Sequence, residues 1–163
     1  MDFGGLRTLD NHEMDMHKGE IVALIGPNGA GNTTFFNCIT GIYPPTQGEM
    51  MVHSPKSGSK KLNGLKPNKV TEVGLARTFQ NIRLFSSMTV LENVMIGCHP
   101  VTKEGIIGAL LRGSRTRGEE QFIVDKSYEI LQKIGLDKYV DELALNLPYG
   151  AQRRLEIARA LAT

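Results

Sequence analysis

The sequence predicts an α/β fold on two observations near the amino terminus. The apolar run IVALI at residues 21–25 has the length and composition of a buried strand. The glycine-rich segment GPNGAGNTT follows at 26–34 and leads into a helical segment at 33–40, which Gly41 ends. A strand, a glycine-rich loop and a helix in this order form a unit whose backbone N–H groups can surround a phosphate.

The glycine-rich segment matches the phosphate-binding pattern G-x-x-x-x-G-K-[ST] at Gly26, Gly31 and Thr33. It departs from the pattern at Asn32, which stands in the place of the lysine. Thr33 is predicted to hold a magnesium ion through its hydroxyl. Loss of the lysine removes a charge-assisted contact of about 1.5–3 kcal/mol, so nucleotide affinity is expected to fall roughly ten- to a hundredfold. The alternative, a plain turn between a strand and a helix, is disfavoured by the order of the glycines after an apolar run.

The composition is that of an ordinary globular domain, with 40% apolar residues, 22% charged residues and a net charge of +2. So small a charge gives no reason to expect a nucleic-acid partner. Cys38 and Cys98 lack CxxC spacing, so neither a zinc site nor a disulfide framework is expected, which favours a reducing cytoplasm. The apolar runs fall far short of the roughly twenty residues of a membrane span, so membrane association is expected to go through a partner.

In the first part of the chain, strands are predicted at 13–16, 21–25 and 49–52. Residues 54–63, rich in Ser, Gly and Lys, are predicted to form an exposed insertion.

The later part is predicted to be mainly helical. Helices are expected at 67–73, 89–95, 119–134 and from 151, with a strand-like stretch at 75–79, a switch segment at 80–88 and loops at 97–118. Thr89 and Glu92 have the spacing of a capping box. In the last helix Leu155, Ala158 and Leu161 are predicted to be buried.

Three motifs stand in a fixed order: GPNGAGNTT at 26–34, ARTFQNIRLF at 76–85 followed by MTVLENV, and NLPYGAQRRLEIARALAT at 146–163. Together they resemble the ATP-binding subunit of ABC transporters, and the second and third are similar to the branched-chain (hydrophobic) amino-acid uptake group. The resemblance implies a P-loop NTPase fold of the ABC type, incomplete over 1–163, with antiparallel N-terminal strands and a helical signature subdomain. It implies a P-loop and glutamine-loop core at 1–88 and a helical subdomain at 89–163.

The resemblance also implies roles for individual residues. Phe3 matches the aromatic residue that stacks on adenine, and Gln80 matches the glutamine that senses magnesium and the γ-phosphate. Thr33 and Gln80 are thus the expected metal ligands. The signature motif, LPYGxQ in this group, lies at Tyr149, Gly150, Ala151 and Gln152. The implied nucleotide-binding residues are Phe3, Gly26, Pro27, Asn28, Gly29, Ala30, Gly31, Asn32, Thr33, Thr34 and Gln80.

The function that the resemblance implies is the coupling of ATP binding and hydrolysis, with Mg²⁺, to the import of branched-chain amino acids. The implied partners are transmembrane permease subunits and a second ATP-binding subunit, with the chain peripheral on the cytoplasmic face of the plasma membrane. A non-catalytic nucleotide-binding or docking module for a transmembrane partner is the alternative. Another P-loop protein, such as a small-molecule kinase or a GTPase, is disfavoured by ARTFQNIRLF and LPYGAQRR together.

No complete catalytic set is expected within residues 1–163. In the family, the magnesium-binding aspartate and the water-polarising glutamate follow the point that Thr163 occupies here. Hydrolysis by this chain is therefore expected to be absent or impaired. The strand that carries those carboxylates in the family would lie against residues 21–25, so the apolar surface of that run is expected to be unpaired.

Overall fold

The computed structural model describes residues 1–3, 6–10, 12–54, 58–98 and 114–163. These residues form two compact units, Met1–Leu75 and Ala76–Thr163. The segment from Ala76 onwards, which includes Gln80, packs within the second unit. The boundary between residues 88 and 89 that was expected to separate the P-loop and glutamine-loop core from the helical subdomain stays a prediction.

The first unit contains short antiparallel strand pairs and short helices. Its elements are β1 (Asp2–Phe3), β2 (Leu6–Arg7), α1 (Asn32–Ile39), β3 (Met51–Ser54), β4 (Gly58–Lys61) and α2 (Pro67–Glu72). β1 pairs with β2, and β3 pairs with β4. Pro67 opens α2, as predicted, because its fixed φ suits the first turn and that turn needs no N–H donor.

The strands predicted at 13–16 and 21–25 are not formed. Residues 12–27 have no regular structure apart from a turn at 18–19. Ile21 and Ile25 are 101% and 90% exposed, and among the described residues no strand pairs with their segment. A strand is held by backbone hydrogen bonds to a neighbouring strand, so an apolar run without such a neighbour stays irregular.

Part of the exposed insertion predicted at 54–63 forms a strand, since Gly58–Lys61 is β4; residues 55–57 lie outside the described residues. Met51 lies opposite Lys61 and Ser54 opposite Gly58 in this antiparallel pair. All four residues of β4 are exposed, so the strand carries no alternation of apolar and polar residues that a sequence pattern could reveal.

The second unit is a helical bundle. Its helices are α3 (Val90–Cys98), α4 (Ser114–Lys133) and α5 (Tyr149–Leu161), with 3₁₀ turns at Asp137–Tyr139 and Ala144–Asn146. Its buried core comprises Val90, Val94, Cys98, Ile130, Leu131, Leu136, Ala144, Leu147, Ala151, Leu155, Ala158 and Ala162. Among the described residues no helix combines the length and hydrophobicity that crossing a bilayer requires.

Local sequence signals set the start of α3. The Thr89 hydroxyl accepts a hydrogen bond from the Glu92 N–H at 3.2 Å, and the Glu92 carboxylate accepts one from the Thr89 N–H at 2.8 Å. The predicted capping box is confirmed. It satisfies two backbone donors that the first helical turn leaves without an internal acceptor.

Three other expectations for the second unit are corrected. Helix α4 begins at Ser114 rather than 119, since the sequence SRTRGEEQ at 114–121 has no large apolar residue and thus no apolar period from which a helix could be predicted. Residues 99–113 of the predicted loop lie outside the described residues. The stretch at 75–79 is not a strand. Leu161 is exposed, and the neighbouring Ala162 is buried in its place.

Helices α3 and α5 cross very closely at Gly97. A Cβ placed on Gly97 would lie 2.4 Å from the Arg159 carbonyl oxygen and 2.9 Å from the Ala162 Cβ. Only a residue without a side chain lets the two backbones approach to this distance.

Replacing Gly97 by alanine is therefore expected to lower the free energy of unfolding by about 1–3 kcal/mol through overpacking. Gly118→Ala is the matched control: Gly118 lies in α4 with open space around it, so this change is expected to stabilise by about 0.5–1 kcal/mol. Urea unfolding of both variants checks the expectation. Equal effects at the two glycines would contradict the close crossing.

Candidate functional site

The glycine-rich loop adopts a backbone that favours glycine. Gly29 and Gly31 have φ angles of 87° and 86°, in the left-handed region. The Ala30 N–H donates to the Pro27 carbonyl oxygen at 3.0 Å, which closes a turn, and Gly31 is the N-cap of α1. The predicted positions of the glycines thus meet a conformational need, because other residues are strained at such angles.

Two of the loop glycines also lie where a side chain would collide. A Cβ on Gly31 would lie 2.3 Å from the Thr8 carbonyl oxygen, and one on Gly26 would lie 2.8 Å from the Ala30 Cβ. At Gly29, by contrast, no atom would lie within 4 Å of an added Cβ. The loop is therefore packed against the segment at Thr8 and open at Gly29.

Backbone donors at the start of α1 are available to a ligand. The N-cap Gly31 has no side chain to accept a hydrogen bond, and the first turn has no acidic residue. Among the described residues the N–H groups of Asn32, Thr33 and Thr34 find no acceptor. Free N–H groups and the positive end of a helix together favour an anion, so this backbone fits a phosphate group.

Asn32 lies at the centre of this arrangement without supplying a charge. Its side-chain oxygen and nitrogen lie 3.6 and 3.7 Å from the point that a Cβ on Gly26 would occupy, so the amide lies beside the start of the loop. Segment 26–34 contains no charged side chain. Within this segment only backbone N–H groups can supply positive potential.

The residues predicted to bind metal lie in different units. Thr33 is exposed in the first turn of α1, and Gln80 is exposed in the second unit. Within the part of the chain that the structure describes, no group of three or more His, Cys, Asp or Glu side chains could hold a metal ion. The roles of Thr33 and Gln80 as metal ligands therefore stay predictions. Phe3 lies in β1, but its side chain is outside the described part, and its role stays a prediction.

The backbone before Gln80 is held by two side chains of α5. Glu156, 2% exposed, accepts a hydrogen bond from the Phe79 N–H at 3.1 Å. Arg153 donates to the carbonyl oxygens of Phe79 and Gln80, at 2.5 and 3.0 Å, and pairs with Glu156 at 2.8 Å. Sequence reasoning missed this pair; the only signal is an arginine followed three residues later by a glutamate on one helix face.

The other end of the same segment is held by Asn93, which is fully buried in α3. Its side-chain oxygen accepts from the Phe85 N–H at 3.0 Å. Its side-chain nitrogen donates to the carbonyl oxygens of Phe85 and Thr89, at 3.0 and 2.9 Å. Residues 79–85, here called the glutamine segment, are therefore attached to the helical bundle at both ends.

Three arginine side chains lie over the two aromatic rings at the ends of the glutamine segment. The Arg77 and Arg83 guanidinium groups lie 5.1 and 4.9 Å from the centre of the Phe79 ring, and that of Arg159 lies 5.5 Å from the Phe85 ring. Burial lowers the pKa of Arg77 and of Arg159, and Glu156 opposes the change at Arg159. Arginine stays protonated in proteins, so these cations persist and favour contact with the ring faces.

The signature motif divides into exposed and packed residues at the start of α5. Tyr149 is 70% exposed and Gly150 is exposed. Ala151 is buried in the core, and the Gln152 side chain donates to the Leu147 carbonyl oxygen at 2.9 Å. Among the four signature residues, Tyr149 and Gly150 are thus the ones most open to a partner.

Comparison with known proteins identifies the family. The pattern that defines the ABC transporter family, described as "ABC transporter", matches residues 9–163. The high-affinity branched-chain amino acid transport ATP-binding protein LivG of Escherichia coli (strain K12) is 42% identical over 163 residues, which are 100% of this chain and 62% of that protein. The corresponding protein BraF of Pseudomonas aeruginosa is 36% identical, with the same coverage.

Solved structures give the same result. An ATP-binding cassette of an ABC transporter is 28% identical with a TM-score of 0.75, over 98% of this chain and 60% of that one. A dimeric bacterial ABC transporter cassette is 26% identical with a TM-score of 0.70, over 95% of this chain and 61% of that one. The cassette fold predicted from the sequence is confirmed, and the chain spans about three fifths of the length of the curated relatives it matches.

The contact between α5 and the glutamine segment predicts the effect of a substitution. Glu156→Ala is expected to lower the free energy of unfolding by about 1–3 kcal/mol, because the Phe79 N–H and the Arg153 guanidinium lose their acceptor. Glu72→Ala, which removes an exposed Lys69–Glu72 pair, is the control and is expected to change it by about 0–1 kcal/mol.

Hydrogen exchange of the Phe79 amide measures directly whether Glu156→Ala removes the hydrogen bond to that N–H. It is expected to become faster in Glu156→Ala and to stay nearly unchanged in Glu156→Gln, whose side-chain oxygen can still accept the bond. Unchanged protection of Phe79 in Glu156→Ala would contradict the assignment.

Proposed function

The chain belongs to the ABC transporter family, and from this premise we propose that it binds Mg-ATP as part of a subunit that drives the import of branched-chain amino acids. The observation that carries the proposal is the set of N–H groups at the start of α1 that find no acceptor among the described residues. A loop with glycine at the positions that need it precedes them. The printed function of the relatives, branched-chain amino acid transport, suggests the cargo.

In this proposal each part of the loop has a role. The N–H groups of Asn32, Thr33 and Thr34 donate to phosphate oxygens, and the Thr33 hydroxyl holds the magnesium ion. Magnesium, when bound, neutralises charge on the phosphates. The closely packed Gly26 and Gly31 keep the backbone near enough to the ligand.

We propose that hydrolysis is impaired, because Asn32 offers a neutral amide where a cation is needed. Phosphoryl transfer depends on positioning and on neutralising charge at the γ-phosphate. A neutral amide beside Gly26 supplies neither a full charge nor the reach of a lysine side chain.

The proposed partners are transmembrane permease subunits and a second ATP-binding subunit, on the cytoplasmic face of the membrane. Exposed Tyr149 and Gly150 at the start of α5 would face the γ-phosphate held by that second subunit. One structurally similar cassette is a dimer, which is consistent with such pairing.

The second candidate function is a non-catalytic nucleotide-binding or docking module for a transmembrane partner. Asn32 is the observation that favours it, since a loop without the lysine can retain binding while losing turnover. Measurement of affinity and of phosphate release separates the two candidates.

Asn32→Lys is expected to tighten Mg-ATP binding roughly ten- to a hundredfold, because it restores a charge-assisted hydrogen bond to phosphate. Asn68→Lys adds the same charge at an exposed position of α2 and is expected to leave the affinity nearly unchanged. Calorimetric titration of the three proteins is the measurement. Equal affinities in the starting and Asn32→Lys proteins would show that position 32 does not contact the nucleotide.

Phosphate release by the polypeptide of residues 1–163 is expected to stay at background even in the Asn32→Lys protein. The reason is that a charge at position 32 does not supply the water-orienting carboxylate that the family resemblance implies. Thr33→Ala, added to the Asn32→Lys change, identifies any contaminating ATPase. Steady release that Thr33→Ala abolishes would show that this polypeptide holds a complete catalytic set.

A further inference from the structure

The sequence contains two Asn-Gly dipeptides, Asn28–Gly29 in the phosphate loop and Asn63–Gly64 after β4. In such a dipeptide the glycine amide nitrogen can attack the asparagine side-chain carbonyl carbon, because no Cβ on the glycine hinders the approach. Whether it does so in a folded protein depends on how freely the side-chain amide can turn towards that nitrogen.

The backbones of the two sites match closely. Each dipeptide occupies the middle of a turn that a 3.0 Å hydrogen bond closes, from Ala30 N–H to Pro27 in one case and from Leu65 N–H to Leu62 in the other. The φ angles of Gly29 and Gly64 are 87° and 77°. Neither glycine has an atom within 4 Å of its Cβ position, and neither glycine N–H finds an acceptor among the described residues.

The side-chain amides differ. The Asn63 oxygen accepts a hydrogen bond from the Met50 N–H at 2.8 Å, and its nitrogen donates to the Gly48 carbonyl oxygen at 3.0 Å. Asn28 is exposed, and its amide makes no hydrogen bond to any described residue. Asn63 must break two hydrogen bonds before it can react, whereas Asn28 need break none.

We propose that Asn28, in the phosphate loop, is a site of spontaneous deamidation from which Asn63 is protected by its two hydrogen bonds. The Gly29 nitrogen loses its proton to water or hydroxide and bonds to the Asn28 side-chain carbonyl carbon. The bond from that carbon to the side-chain nitrogen breaks, and the nitrogen leaves as ammonia with the protons it needs. Water then adds to either carbonyl of the five-membered ring and opens it, which gives aspartate or isoaspartate without any change of oxidation state.

Both products put a carboxylate into the loop, and isoaspartate also lengthens the backbone by one carbon. A negative charge in the loop that leads into α1 would oppose the binding of another anion at the start of that helix. This consequence for nucleotide rests on the proposed function; the deamidation itself does not.

Peptide mapping by mass spectrometry, with fragmentation that separates aspartate from isoaspartate, tests the proposal. The purified chain is held at mildly alkaline pH and body temperature, and both sites are followed in the folded protein and in denaturant. In denaturant the two asparagines are expected to react at similar rates. In the folded protein Asn28 is expected to react roughly ten- to a hundredfold faster than Asn63, which is the ratio that two lost hydrogen bonds imply.

The partners of the Asn63 amide are the backbone N–H of Met50 and the backbone carbonyl of Gly48, so a side-chain substitution at those residues does not remove them, and denaturant is used to release Asn63. Gly29→Ala serves as the variant at the other site, since a Cβ next to the attacking nitrogen is expected to suppress the reaction at Asn28 and leave Asn63 unchanged. Equal rates at the two sites of the folded protein would overturn the proposal. The proposal would also be overturned if Asn28 stayed intact in the folded protein while it was deamidated in the denatured chain.

Discussion

The buried carboxylate of Glu156 is the group that attaches the glutamine segment to α5. Burial of a charge is unfavourable unless the charge is paired and hydrogen-bonded, and Glu156 meets both conditions through Arg153 and the Phe79 N–H. Because both side chains belong to α5, the glutamine segment is attached to the same helix that presents Tyr149 and Gly150 at its start. Two motifs that lie some seventy residues apart in sequence are thereby built into one packed body.

The other end of the glutamine segment is also held by a buried polar side chain, which belongs to α3. The Asn93 side chain accepts a hydrogen bond from the Phe85 N–H and donates one to the Phe85 carbonyl oxygen. Helices α3 and α5 in turn meet at Gly97, where the absence of a side chain allows close contact. The helices that hold the two ends of the glutamine segment are therefore packed directly on each other, which limits how far those ends can separate.

Much of this could be predicted from the sequence where the determinants are local. Pro67 at the start of α2, the Thr89 and Glu92 capping box and the loop glycines act within a few residues of where they stand. The strand at 21–25 could not be decided in this way, because its formation depends on a distant partner. The contacts of Glu156 could not be predicted for a similar reason. Nothing in the local sequence distinguishes a buried glutamate from an exposed one, and only the fold brings the distant Phe79 N–H to its carboxylate.

The exposed run IVALI also bears on how this polypeptide behaves in concentrated solution. It has high β-propensity, no charge and no proline, which are the properties of segments that stack into intermolecular sheets. Glu20 precedes the run, and Pro27 follows it after one glycine. A charge and a residue without an N–H donor at the borders of such a segment disfavour the addition of further strands. Burial does not cover this run, so its flanking charge and proline are the features that oppose its pairing with other copies of the chain.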